Sequence, residues 1–310
     1  MSFEDLLQEL PDPSSPLTVS KLTALSRMGQ EQTSLFMNAW LQMDVRRRQW
    51  LIQELIDLAE DNVELNFDAV FFIALADMDV DVRRHAIRGL WEHEGRDMID
   101  ALIGLLERDP AAGVRADAAL GLGRFVLQSE FETVRAPDVE RIEQTLRRAV
   151  TNSAEVPEVR GRALEAVGAR CQPWVRPLIE EAYAGSDRVL RLSAVHAMGR
   201  SCDPAWLPTL VRELRSDEPA MRYEAAGACG SIADDTATAY LLPLLEDDDV
   251  EVQEAAISAL GQIGGAAAKR ALRELIAAQD DRVRDAAQLA LAEIDFAEDP
   301  LAFKTQEWRG

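Results

Sequence analysis

The sequence predicts an all-α superhelix, a solenoid of stacked helix pairs, and three observations carry that expectation. One pattern of aliphatic and small residues recurs at a nearly fixed interval. Its offsets fall on a single helical face. The composition, with 47% apolar but only 6% aromatic residues, suits closely approaching helices better than strands.

The recurrence is clearest from Val252, which is followed by Ala256 at +4, Ala259 at +7, Leu260 at +8 and Gly261 at +9. The same frame fits anchors at Val82, Val114, Val159, Leu190, Met221 and Val283. Anchors from Val159 to Val283 are each 31 residues apart, Val82 to Val114 is 32, and Val114 to Val159 is 45. A fixed period of this length marks repeats that bury their apolar faces on one another. Offsets 0, 4, 7, 8 and 11 share one helix face, and small residues at +4 and +7 admit a neighbouring helix. A second apolar pattern lies between anchors, as in Leu207, Leu210, Val211 and Leu214, so each unit reads as an antiparallel helix pair. An acid often stands three residues before the anchor, at Asp79, Asp187, Glu218, Asp249 and Asp280, where it would cap the helix or complement its dipole.

Taken along the chain, residues 1–16 form a leader with Phe3, Leu6, Leu7 and Leu10 on one stripe. It is either a docking helix on a flexible tether or a folded-back cap. Residues 17–64 read as degenerate capping helices, with Val45-Arg46 as an imperfect anchor and Arg46-Arg47-Arg48 as a solvated face. Residues 65–294 form the repeat array, interrupted within 128–157 by about 14 extra residues. Ser129 to Pro137 there reads as a loop and Arg141 to Val150 as helix. Insertions map to loops, and long loops often carry function. Residues 295–310, with Phe296, Pro300, Leu301, Phe303 and Trp308, leave the frame as a tail.

The formal net charge is −22, which opposes a phosphate-gripping surface, so nucleic acid is not expected as a partner. Lysine occurs only at Lys21, Lys269 and Lys304. Cys171, Cys202 and Cys229 form no CxxC pair and read as free thiols in helical segments. No apolar run approaches membrane-spanning length, and the N-terminus has no signal-peptide pattern, so a cytoplasmic location is expected. Gly261, Gly264 and Gly265 read as helix-closing glycines, and Asp247-Asp248-Asp249 as a turn before a helix.

Arginine follows the anchor in six of the seven units, at Arg83, Arg115, Arg160, Arg191, Arg222 and Arg284, with Gln253 as the exception. Together these features resemble the short bacterial HEAT-like repeats, including those of the phycobilin lyase type, with signature D-x-x-V-R-x-x-A-x-x-A-L-G. The resemblance implies a HEAT-repeat solenoid in which Asp and Arg form a polar ladder between adjacent units. It also implies that the second helices line the inner face. Offsets +2, +3, +6 and +10 then point away from the core. On that surface Arg84, His85, Arg88, Arg124, Arg162, His196 and Arg200 form a candidate partner-binding stripe, suited to an acidic peptide. The last two units instead present Glu254, Ser258, Gln262, Asp285 and Glu293.

Three enzyme classes share such repeats. The di-iron site of deoxyhypusine hydroxylases needs several His-Glu pairs, whereas this chain has three histidines, His85, His93 and His196, and one pair, His93-Glu94. HEAT-like DNA glycosylases use a basic concave face; here the balance is acidic and Trp91 falls in the core frame. A bilin lyase subunit leaves no motif to find. Catalytic, cofactor and metal motifs are lacking. The expected function is therefore a non-catalytic scaffold, adaptor or assembly factor that holds a protein partner through its concave face or inserted loop. The alternative is a chromophore-lyase-like or other enzyme subunit that uses the repeat array to hold its substrate protein.

Overall fold

The computed structural model describes residues 3–131, 133–170, 172–278 and 280–298, and among these there are helices and turns but no strand. The chain divides into two compact units between Thr145 and Leu146.

The first unit contains α1 (Phe3–Glu9), α2 (Val19–Leu22), α3 (Gln30–Trp40), α4 (Val45–Asp61), α5 (Asp68–Ala74), α6 (Val80–Gly89), α7 (Arg96–Arg108), α8 (Ala112–Gln128) and the start of α9 (Ala136–Thr151). The second helices of successive pairs, α4, α6 and α8, pack in order on one another. Their anchors and +4 residues, Val82, Ala86, Val114 and Ala118, are fully shielded from solvent. The leader is folded back: α1 packs against α3, and Leu6 and Leu10 are buried. Arg47 holds it there by donating to Leu10 O and Ser15 O. The expected solvated arginine run is therefore corrected, because Arg48 also pairs with Asp77, at 2.9 Å. Only Arg46 of the three remains exposed.

The second unit continues from Leu146 through α10 (Pro157–Val167), α11 (Val175–Ala184), α12 (Arg188–Arg200), α13 (Leu207–Glu213), α14 (Pro219–Ile232), α15 (Thr238–Leu241), α16 (Val250–Ile263), α17 (Gly265–Leu275) and α18 (Asp281–Glu298). Here α10, α12, α14, α16 and α18 stack in sequence. The spacing of small residues explains the stack. A Cβ on Gly199 would lie 2.6 Å from the Cα of Ala228, and one on Gly230 would lie 2.7 Å from that of Ala259. Gly168 meets Ala197 and Gly261 meets Ala290 in the same way. The glycine at +9 thus receives the alanine at +7 of the next second helix. Gly261 is consequently an interhelical contact inside α16 rather than a cap. Gly264 and Gly265, with φ of +73° and +85°, make the turn into α17.

The acids before the anchors cap their helices at Asp79, Asp187, Asp249 and Asp280, each accepting a first-turn backbone N–H at 2.8–3.0 Å. Glu218 makes no such cap and pairs with Arg188. The 45-residue step is not one long loop. Its extra length goes largely into α8 (17 residues) and α9 (16 residues), leaving a short connection that begins with a 3-10 turn at Ser129–Phe131.

Cys229 is buried, and burial pushes its thiol up to about 12. Cys202 departs from the expected helical setting: it is exposed, beyond the end of α12, with φ of +48°. Cys171, Pro300, Leu301, Phe303 and Trp308 lie outside the described residues.

Candidate protein-binding faces

The arginine after each anchor first serves its own turn. Arg83, Arg115, Arg222 and Arg284 each donate to the carbonyl six residues earlier, and Gln253 does the same at Asp247 O. Arg160 reaches Val150 O instead. Bridging to the following pair needs an acid in that pair's turn. Arg83 grips Asp109 with two bonds of 2.7 and 2.9 Å, and Arg222 grips Asp247 with two of 2.7 Å. Asp109 and Asp247 lie five residues before their anchors, two before the capping position. Each also accepts the backbone N–H two residues on. Asp77 occupies the same place and takes Arg48 and the indole N–H of Trp40. Where the turn offers Gly185 or Ser216, Arg160 and Arg191 make no such bridge, and Arg191 makes no side-chain hydrogen bond among the described residues. The bridging acid is a position that sequence reasoning missed; the Asp77, Asp109 and Asp247 alignment was the available signal.

The outward offsets of the second helices open into grooves within each unit. In the first unit, one of about 400 Å³ is lined by Arg84, His85, Arg88, Trp91, Asp117 and Leu120 among others. Trp91 and Leu120 are 51% and 42% exposed. The sequence frame put Trp91 in the core; it is outside because α6 ends at Gly89 and the chain turns at Leu90. The surrounding charges are paired internally: Arg84 with Asp117 at 2.6 Å and Arg88 with Glu60 at 3.1 Å. His85 Nδ1 lies 2.7 Å from Asp81 O.

Arg124 does not join this groove. Its guanidinium lies over Trp91 and Phe125 and donates to Leu90 O and His93 O at the end of α6. His93 in turn lies between Asp68 (2.7 Å) and Asp97 (2.9 Å). Burial alone would lower its pKa, but the two carboxylates outweigh burial and hold it above the usual histidine value.

In the second unit, a groove of about 350 Å³ brings together His196 and Arg200 from α12, Tyr223 and Glu224 from α14, and Glu254, Ser258 and Gln262 from α16. His196 Nδ1 is 3.1 Å from Glu224. Arg162 pairs with Glu165 at 2.7 Å. Glu165, six residues after the Val159 anchor and so at an offset read as outward, is only 8% exposed and accepts the Ser193 hydroxyl from α12. The predicted cations are thus distributed between two grooves, with Arg124 and Arg162 engaged in packing contacts beside them.

The insertion carries its own cluster. The carboxylate of Asp138, almost fully buried, receives Arg96, Arg135 and Arg141. Burial would raise its pKa, but the arginines hold it lowered. Phe131, in the same inserted stretch, is 79% exposed. Among the described residues, no group of three or more His, Cys, Asp or Glu side chains is arranged to hold a metal ion. No helix among them is long and apolar enough to cross a membrane.

Comparison with known families settles the architecture. HEAT repeats match residues 69–139 and 207–292, together just over half of the chain. The chain belongs to the HEAT repeat family. No curated protein sequence matches this HEAT-repeat chain significantly. Among solved structures, the CpcE–CpcF complex of phycocyanin lyase from Nostoc sp. PCC7120 is 19% identical, with a TM-score of 0.51, covering 92% of this chain and 97% of that one. A Kap95p chain bound to RanGDP is 14% identical with a TM-score of 0.51 over 94% of this chain, which spans 45% of its length. YibA of E. coli is 18% identical with a TM-score of 0.45, covering 79% of this chain and 95% of that one. These likenesses concern the fold.

Proposed function

We propose that this HEAT-repeat protein is a non-catalytic scaffold or assembly factor that holds a protein partner on the outward faces of its second helices. One observation carries the reading. Trp91 and Leu120 stand exposed in a groove whose rim charges, Arg84–Asp117 and Arg88–Glu60, are already paired within the protein. An aromatic anchor ringed by satisfied polar groups has the composition of a protein-binding hot spot. The acidic body supports solubility of the free protein. The chromophore-lyase alternative draws on fold likeness and on no residue of this chain.

Site-specific photo-crosslinking in the native host tests the reading. A benzophenone at position 120 is expected to capture a defined protein in stoichiometric amount, and one at position 180, on a first helix, is not. Trp91→Ala should reduce capture by roughly tenfold or more, as loss of an aromatic anchor does. Equal capture at both positions, or a tetrapyrrole co-purifying in place of a protein, would overturn it.

A further inference from the structure

Within the groove of the second unit, one cation lacks a counter-charge. Arg200 is half-buried, makes no side-chain hydrogen bond or ion pair among the described residues, and its Nε is shut off from solvent without a partner. The carboxylates of the groove have other partners: Glu224 lies 3.1 Å from His196 Nδ1, and Glu254 pairs with Arg282 at 2.6 Å. A partly desolvated guanidinium without an acceptor is costly, and a carboxylate arriving from the groove can take two parallel bonds from its Nη groups. Tyr223, 45% exposed, adds an aromatic face for the aliphatic stem of an acidic side chain.

We infer that this groove binds the carboxylate of an Asp or Glu side chain on the partner protein, with Arg200 as its counter-ion. The inference names the chemistry that the second unit contributes to the scaffold reading above and rests on that reading. Binding is addressed with the full-length protein and a small probe, so its outcome is separate from whether position 120 captures a partner.

The Nε–H cross-peak of Arg200, assigned by its loss in Arg200→Lys, is followed while N-acetylglutamate N-methylamide is added at constant ionic strength. A saturable shift of that peak is expected, with affinity reduced roughly tenfold or more in Arg200→Gln, as read at the His196 ring signal. N-acetylglutamine N-methylamide, the uncharged analogue, should leave the peak unmoved. A shift with N-acetylleucine but not with the glutamate probe would overturn the side-chain assignment in favour of a chain-end carboxylate. Absence of any saturable shift, or equal response to chloride, would overturn the site.

Discussion

Two glycines on adjacent helices illustrate how much one methyl group decides. At Gly199 an added Cβ would press on the backbone of Ala228 at 2.6 Å, and no side-chain rotation relieves that. Gly199→Ala is expected to cost about 1–2 kcal/mol, overpacking exceeding the gain in helix propensity. At Gly227, in the middle of α14, an added Cβ meets nothing within 4 Å, so Gly227→Ala should stabilise by about 0.5–1 kcal/mol. Urea midpoints at unchanged m-value check both signs. The recurrence of glycine at +9 was legible in the sequence, but its role was not: Gly261 read as a helix-closing glycine, whereas it receives Ala290 of the next second helix. Nor was the exposure of Trp91 legible, because it depends on where α6 stops, and only the local backbone at Leu90 decides that.

Among the elements, the same motif residue does unequal work. Arg83 and its partner Asp109 are both buried, so Arg83→Ala strands a carboxylate and should destabilise by about 3 kcal/mol or more. Arg191, in the same motif position, makes no side-chain hydrogen bond among the described residues, and its alanine variant should stay within about 1 kcal/mol of wild type. The arginine periodicity was readable; the acids that give it energy were not. They belong to turns, and only some turns carry them. His93 ties the first residue of α5 to the start of α7 through Asp68 and Asp97. Its pKa is raised on folding, so its contribution is complete below about pH 6.5 and lost as pH climbs through the higher folded value. The stability difference between wild type and His93→Gln should therefore shrink from pH 6 towards pH 9 in chemical denaturation.

For the molecule as a whole, charge dominates. With 55 acidic against 33 basic side chains, self-repulsion opposes folding while individual surface pairs add little. Raising sodium chloride from about 10 mM to about 300 mM, which shortens the Debye length from about 30 Å to under 8 Å, should raise the melting temperature. A fall would mean that the ion-pair network outweighs the repulsion. The repeat fold and most unit positions were legible because a register that is used many times averages out local exceptions. The grooves were legible only as outward offsets. Which cations they leave unmatched depends on neighbours 28 or more residues away, such as Glu224 beside His196 and Asp117 beside Arg84.

The stepwise contact of Gly199 with Ala228 and of Gly230 with Ala259 makes the second unit modular in a strict sense. Asp203 and Asp234 start equivalent turns 31 residues apart, each accepting an amide two residues on. Excising one whole period, so that Cys202 runs directly into Asp234, would bring Gly199 against Ala259 with the same fit. It would also set the idle Arg191 opposite Asp247. A shortened chain would then inherit an inter-repeat clasp that the natural one lacks at that step.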